Sequence, residues 1–119
     1  TTNNPCPSGF VVPTKDQWDN LISACNATYM SGTWSSTNYG YITLTNKTNS
    51  ARKLEFPAVG LRNTSNGSLT NNGTSGYYWS SVQSSSTSAN NMRFNSSSVN
   101  PINDNNKLYG FNLRCVRQK

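Results

Sequence analysis

The residues that could do covalent chemistry are few. The chain has no histidine, and its only acids are Asp16, Asp19, Glu55 and Asp104. A Ser-His-Asp triad is therefore impossible, and a working carboxylate pair is barely available. Asp16 and Asp19 stand three apart on the outer side of an expected helix, where negative charge complements the positive end of the helix dipole. The three cysteines, Cys6, Cys25 and Cys115, permit three alternative single disulfides, each leaving one thiol over. Cys25 has no activating neighbour in sequence. A calcium-dependent sugar site of the usual lectin kind needs Glu-Pro-Asn and Trp-Asn-Asp strings, and neither occurs. One carboxylate among amides, Asp104, would hold calcium poorly. These residues predict no enzyme, no catalytic residue, no metal and no cofactor.

Non-covalent recognition is better supplied. Asn, Ser and Thr number 19, 18 and 13 of 119 residues, while the charged fraction is 12%. Polar surface in such excess suggests disorder, but three Trp, six Tyr and four Phe argue for a packed core. Trp18 and Trp79 read as core residues. Trp34 and Tyr39 lie in a Ser/Gly/Thr-rich stretch, where an exposed aromatic could stack on a sugar, although packing beneath the loop is commoner. Several Asn-x-Ser/Thr sequons, among them Asn26 and Asn46, arise by chance in so Asn-rich a chain.

These side chains need elements to position them. Gly9 to Pro13 reads as a short strand. Thr14 then opens a capping box with Gln17, and Trp18, Leu21, Ile22 and Cys25 recur at i, i+3, i+4 and i+7 as one apolar helical face. Further strands are expected at Tyr39 to Thr45, Ala58 to Arg62, Gly76 to Val82, Asn91 to Ser97 and Phe111 to Gln118. A loop from Asn63 to Ser75 carries Asn66-Gly67 and Asn72-Gly73 turn signals. The expected fold class is α+β, with one main N-terminal helix, a twisted, mostly antiparallel sheet, and termini close together.

Length allows one domain, 1–119. The net charge of +6 is spread along the chain, with short clusters only at Arg52-Lys53 and Arg114 to Lys119, so no nucleic-acid partner is expected. No apolar run is long enough to span a membrane, and direct membrane insertion is not expected. The opening TTNNPCPSG lacks signal-peptide pattern and reads as the start of an excised or processed domain.

The segments CPSGFVVPTKDQWDNL at 6–21, FPAVGLRN at 56–63, YYWSSV at 77–82 and GFNLRCVRQ at 110–118 resemble the Fibrobacter succinogenes-type major paralogous domain. Four motifs in order span nearly the whole chain. The resemblance implies a C-type-lectin-like fold and distant kinship with the formylglycine-generating-enzyme group. It also implies display on bacterial surface or pilus proteins, with a protein or glycan on another cell or surface as partner. It favours a Cys6 to Cys115 disulfide, leaving a buried, inert Cys25 on the helix.

Residues 76–117 further resemble the variable region of proteins diversified by retroelements that mutate template adenines. Asn codons begin with two adenines and mutate readily to Ser, Tyr, Asp, Thr or Gly codons, the vocabulary found here. Trp79, Val82, Ala89, Phe94, Val99, Pro101, Gly110, Phe111, Leu113, Cys115 and Val116 have codons that can all lack adenine, and would be scaffold. The interspersed polar residues would form the ligand-binding face: Tyr78, Ser84, Ser85, Ser86, Ser88, Asn90, Asn91, Arg93, Asn95, Asn103, Asp104, Asn105, Lys107, Tyr109 and Asn112. Thr87 and Asn106 fall within the same runs. Tyr supplies contact area at low rotamer cost, and Asn and Ser supply adaptable hydrogen bonds.

Overall fold

The computed structural model describes residues 3–119. A two-residue strand, β1 (Phe10–Val11), leads to α1 (Lys15–Ser23). The capping box is formed: Gln17 N–H donates to Thr14 Oγ1 at 3.1 Å, and Thr14 N–H donates to Gln17 Oε1 at 2.9 Å. Two orphan amides at the helix start are thereby satisfied. Thr14→Ala should cost about 1 kcal/mol in urea unfolding; an unchanged midpoint would mean that water replaces the cap.

The helix is shorter than its apolar spacing predicts. Ala24 caps it, its N–H bonded to Asn20 O, and Cys25 starts β2 (Cys25–Met30). Six residues there gain a full antiparallel ladder with β3 (Tyr41–Asn46), from Cys25↔Asn46 to Met30↔Tyr41, which outweighs one more helical turn. Cys25 is consequently a half-buried strand residue with a free thiol, rather than a buried helical one.

The single sheet of five or six strands is corrected to ten strands in four small antiparallel sheets among the described residues. β3 also pairs with β4 (Lys53–Pro57), where the sequence suggests only a polar connection. β5 (Leu61–Arg62) pairs with β6 (Leu69–Thr70), inside the expected loop. The third sheet has the order β7 (Gly76–Gln83), β8 (Ser88–Phe94), β9 (Val99–Asn106). β10 (Val116–Arg117) pairs back onto β1.

The expected strand at Ala58 to Arg62 is reduced to Leu61–Arg62, and Ala58 to Gly60 is irregular backbone. Gly60 has φ 72°, and a Cβ there would lie 2.2 Å from Thr70 O, so the chain turns where only glycine fits. Phe111 to Cys115 is likewise not a strand of its own but an extended connector lying along β7. Asn112 N–H donates to Tyr77 O at 3.1 Å, and Trp79 N–H donates to Asn112 O at 3.0 Å.

One apolar cluster holds these pieces together: Trp18 from α1, Ile42 and Leu44 from β3, Phe56 from β4, Ala58, Tyr78 from β7, and Met92 and Phe94 from β8. Phe56 meets both Trp18 and Tyr78 edge-on, with ring centroids 5.6 Å and 5.4 Å apart. Such contacts add to simple burial. Cys6 and Cys115 form the disulfide, with Cα atoms 5.9 Å apart, and beside it β1 and β10 bring the two ends together. No helix of the described residues is long and apolar enough to cross a membrane.

Candidate functional site

The sheet β7–β8–β9 has two unlike faces because successive side chains alternate. Tyr78, Met92 and Phe94 point into the core. Register places Tyr77 opposite Arg93, Trp79 opposite Asn91, and Asn91 opposite Asn103, so the second face carries Tyr77, Trp79, Asn91, Arg93, Asn103 and Asn105. The connector after β9 lies over part of this face. Phe111 packs on Trp79 at 4.2 Å and stacks on Tyr77 at 4.9 Å, and Tyr109 stacks on Phe111 at 5.7 Å.

Beside this aromatic cluster opens a polar cavity of about 290 Å³. Its floor and one wall come from Tyr77, Arg93, Asn103, Asn105 and Tyr109, and its far wall from Leu61, Asn63, Thr70 and Asn71 around β5 and β6. Asn91 lies beneath and is fully buried. Its side-chain nitrogen donates to Asn105 Oδ1 at 3.0 Å, while Asn103 Nδ2 donates to Asn91 Oδ1 at 3.2 Å and to Asn105 Oδ1 at 2.6 Å. This triad satisfies the buried amide and fixes the orientation of the other two. Asn71 Nδ2 donates to Tyr77 Oη at 3.2 Å, tying the far wall to the sheet. The Arg93 guanidinium lies over the Tyr77 ring at 5.7 Å, and its Nε is buried without a hydrogen-bond partner among the described residues. Among the described residues no carboxylate lines the cavity.

Four of the residues expected at a binding face therefore meet in one place: Arg93, Asn103, Asn105 and Tyr109. A second group gathers at the β7–β8 hairpin tip. Ser84 Oγ donates to Asp104 Oδ1, and Lys107 Nζ donates to Gln83 Oε1 at 2.8 Å and to Ser86 O at 3.1 Å. Ser85 Oγ accepts from Ser88 N–H at 3.0 Å and shapes the turn. By alternation Asn90 and Asp104 face away from the cavity. Asn95 is a turn residue, its Oδ1 accepting from the N–H groups of Ser97 and Ser98 at 2.9 and 3.0 Å. Asn112 is half-buried and is used through its backbone, along β7.

Two expected binding residues are structural instead. Asn91 belongs to the buried triad. Tyr78 is 3% exposed and donates its hydroxyl to Pro57 O at 2.7 Å, because the register that puts Tyr77 on the cavity face puts Tyr78 into the core. Burial pushes the Tyr78 hydroxyl up to about 12, against a smaller opposing pull from Arg114. An unfolded phenol ionises near pH ~10. The neutral side chain therefore stabilises the fold fully below about pH 10, and that contribution is lost as pH rises through about 12. Tyr78→Phe should cost about 1 kcal/mol at neutral pH for the lost hydrogen bond. The gap between wild type and variant should close across that alkaline range; a constant gap in urea midpoints would contradict the burial.

The cavity residues that sequence reasoning missed are Leu61, Asn63, Thr70, Asn71 and Tyr77, all outside the interspersed polar set. The Asn66-Gly67 and Asn72-Gly73 turn signals pointed to the loop that carries most of them. Trp34 is 48% exposed and Tyr39 half-buried; with Pro57 and Val59 they line a separate cleft of about 420 Å³. Trp79 is half-buried rather than core, while Trp18 is 2% exposed. Among the described residues no three His, Cys, Asp or Glu side chains come together.

No curated protein and no solved structure matches the chain. The sequence model of the Fibrobacter succinogenes major domain (Fib_succ_major) matches residues 1–117, nearly the whole length, with three of the four motifs in full and the fourth up to its last residue. The chain belongs to the Fibrobacter succinogenes major domain family.

Proposed function

We propose that this is a non-catalytic ligand-binding domain, with a C-type-lectin-like fold, of a secreted or surface-displayed bacterial protein such as a pilus-tip adhesin. Its partner is a protein or glycan on another surface, and residues 76–117 are the region diversified to recognise it. The observation that carries this reading is the cavity around Arg93: one sheet separates core residues Tyr78, Met92 and Phe94 from an outward group of Arg93, Asn103, Asn105 and Tyr109. A rigid scaffold with an adaptable polar face is what variable recognition needs. The disulfide supports an oxidising, extracellular setting.

Coding sequences of this locus from several strains test it directly. Differences should concentrate at adenine positions in the codons for Arg93, Asn103, Asn105 and Tyr109 and for the tip residues Ser84 to Ser88. They should spare Trp79, Phe94, Gly110 and Cys115. Differences scattered evenly would remove the diversified face. In a parallel assay, beads carrying the domain should lose cell adhesion when Arg93, Asn103, Asn105 and Tyr109 are replaced together by alanine; unchanged adhesion would leave a structural envelope module.

A further inference from the structure

We propose that the Arg93 cavity takes a carboxylated pyranose, a sugar ring bearing one anionic group, and that Arg93 selects it through that group. The inference rests on the reading of this face as a recognition surface and names the chemical class of its ligand. Arg93 sits on the central strand β8, its guanidinium steadied over the Tyr77 ring at 5.7 Å. The group stays charged at any physiological pH. Its Nε is buried and unpartnered, so the protein leaves part of the guanidinium's donor set unmet. Arg93 lines the cavity, and a carboxylate there matches the fork of its guanidinium with two oxygens.

Among the described residues no acid lines the cavity to compete for that role. The acid closest in the fold, Asp104, projects from the other side of β9 and accepts from Ser84 Oγ. The field at the cavity floor is positive, and the chain's net charge of +6 adds to it at longer range.

The walls argue for a sugar ring rather than a bare acid. The triad uses Asn105 through its oxygen and Asn103 through its nitrogen, so the Asn105 nitrogen and the Asn103 oxygen take no part in it. Asn63 Oδ1 accepts from Ser65 N–H at 2.8 Å, which engages its oxygen rather than its nitrogen. Amide groups that both donate and accept match ring hydroxyls, which do the same. An aspartate or glutamate side chain would satisfy Arg93 and leave those amides without partners. The volume, about 290 Å³, is at the small end for ligand cavities and suits one ring.

Titration of the folded domain at constant ionic strength, followed by amide chemical shifts, tests this with four probes: sodium D-glucuronate, D-glucose, sodium acetate and N-acetyl-glutamate amide. Glucuronate should move the amides of Arg93, Asn103 and Asn105 in a saturable way, with the other three at least about tenfold weaker. Arg93→Gln should weaken glucuronate binding about tenfold to a hundredfold, and Arg93→Lys should recover only part, since it keeps the charge without the fork. If Arg93→Gln unfolds, Asn105→Asp serves instead: it keeps the oxygen that accepts from Asn91 and Asn103, sets a carboxylate on the cavity wall, and should weaken glucuronate binding at least about tenfold in a folded protein. Equal binding of glucose overturns selection by the carboxylate. Equal binding of acetate or the glutamate amide overturns the sugar assignment. If no probe binds while the four-residue alanine replacement still abolishes adhesion, this proposal fails and the recognition reading stands; if adhesion is also unchanged, both fail.

Discussion

Replacing Cys6 and Cys115 with serine should lower the unfolding free energy by about 5 kcal/mol, from the chain-entropy cost of opening a loop whose ends are 109 residues apart. A domain of this size has roughly 5–15 kcal/mol in total. The bond therefore decides whether the fold persists at physiological temperature. The case is sharpened by what stands beside it: β1 and β10 pair through only two residues each, so no long ladder holds the ends without the bridge. Urea unfolding of wild type and the double serine variant measures the difference. Cys25 is a free thiol that can attack the bridge once wild type unfolds, so both proteins are compared in a Cys25→Ser background. A loss below about 1 kcal/mol would show that the core alone sets stability, against the loop-entropy argument.

Phe94→Ala should cost about 3–5 kcal/mol, the usual range for emptying a buried aromatic site. Phe94 has no measurable exposure and packs against Tyr29 and Tyr78, with ring centroids 6.5 and 6.4 Å away. The ring also fills the space above Gly76, where an added Cβ would lie 2.1 Å from Phe94 Cε1. Gly76→Ala alone should therefore cost about 1–3 kcal/mol by overpacking. In the Phe94→Ala background the same methyl enters the vacated space, and its cost should disappear. Additive losses in this cycle, measured by chemical denaturation, would mean that backbone conformation rather than ring contact fixes glycine at position 76.

What was legible in the sequence was what is local. The Thr14 and Gln17 cap lies within four residues, and the strand at Gly76 to Val82 carries its own β-branched and aromatic content; both appear where expected. β9 was illegible because Pro101 and its run of Asn and Asp have little strand propensity. It forms because it is an edge strand supported by β8, where a proline without an N–H is tolerated and a register shift opposite Asn91 and Arg93 accommodates the irregularity. Tyr77 and Tyr78 could not be told apart, since adjacent identical residues give no sign of which faces inward; Met92 and Phe94 across the sheet decide it. Asn91 looked like a surface residue because its two partners, Asn103 and Asn105, come from another strand. The same holds for the cavity, whose far wall belongs to a loop from outside the region that looked variable.

The closure of the two ends has a mechanical consequence. In a longer polypeptide under tension, force entering before Cys6 and leaving after Cys115 passes through one covalent bridge and bypasses every strand between them. The 109-residue span could otherwise pay out roughly 380 Å of extended chain. With the bridge intact it pays out almost none, so the domain transmits a pull as a fixed link, and the Arg93 cavity keeps its shape while the chain on either side is stretched.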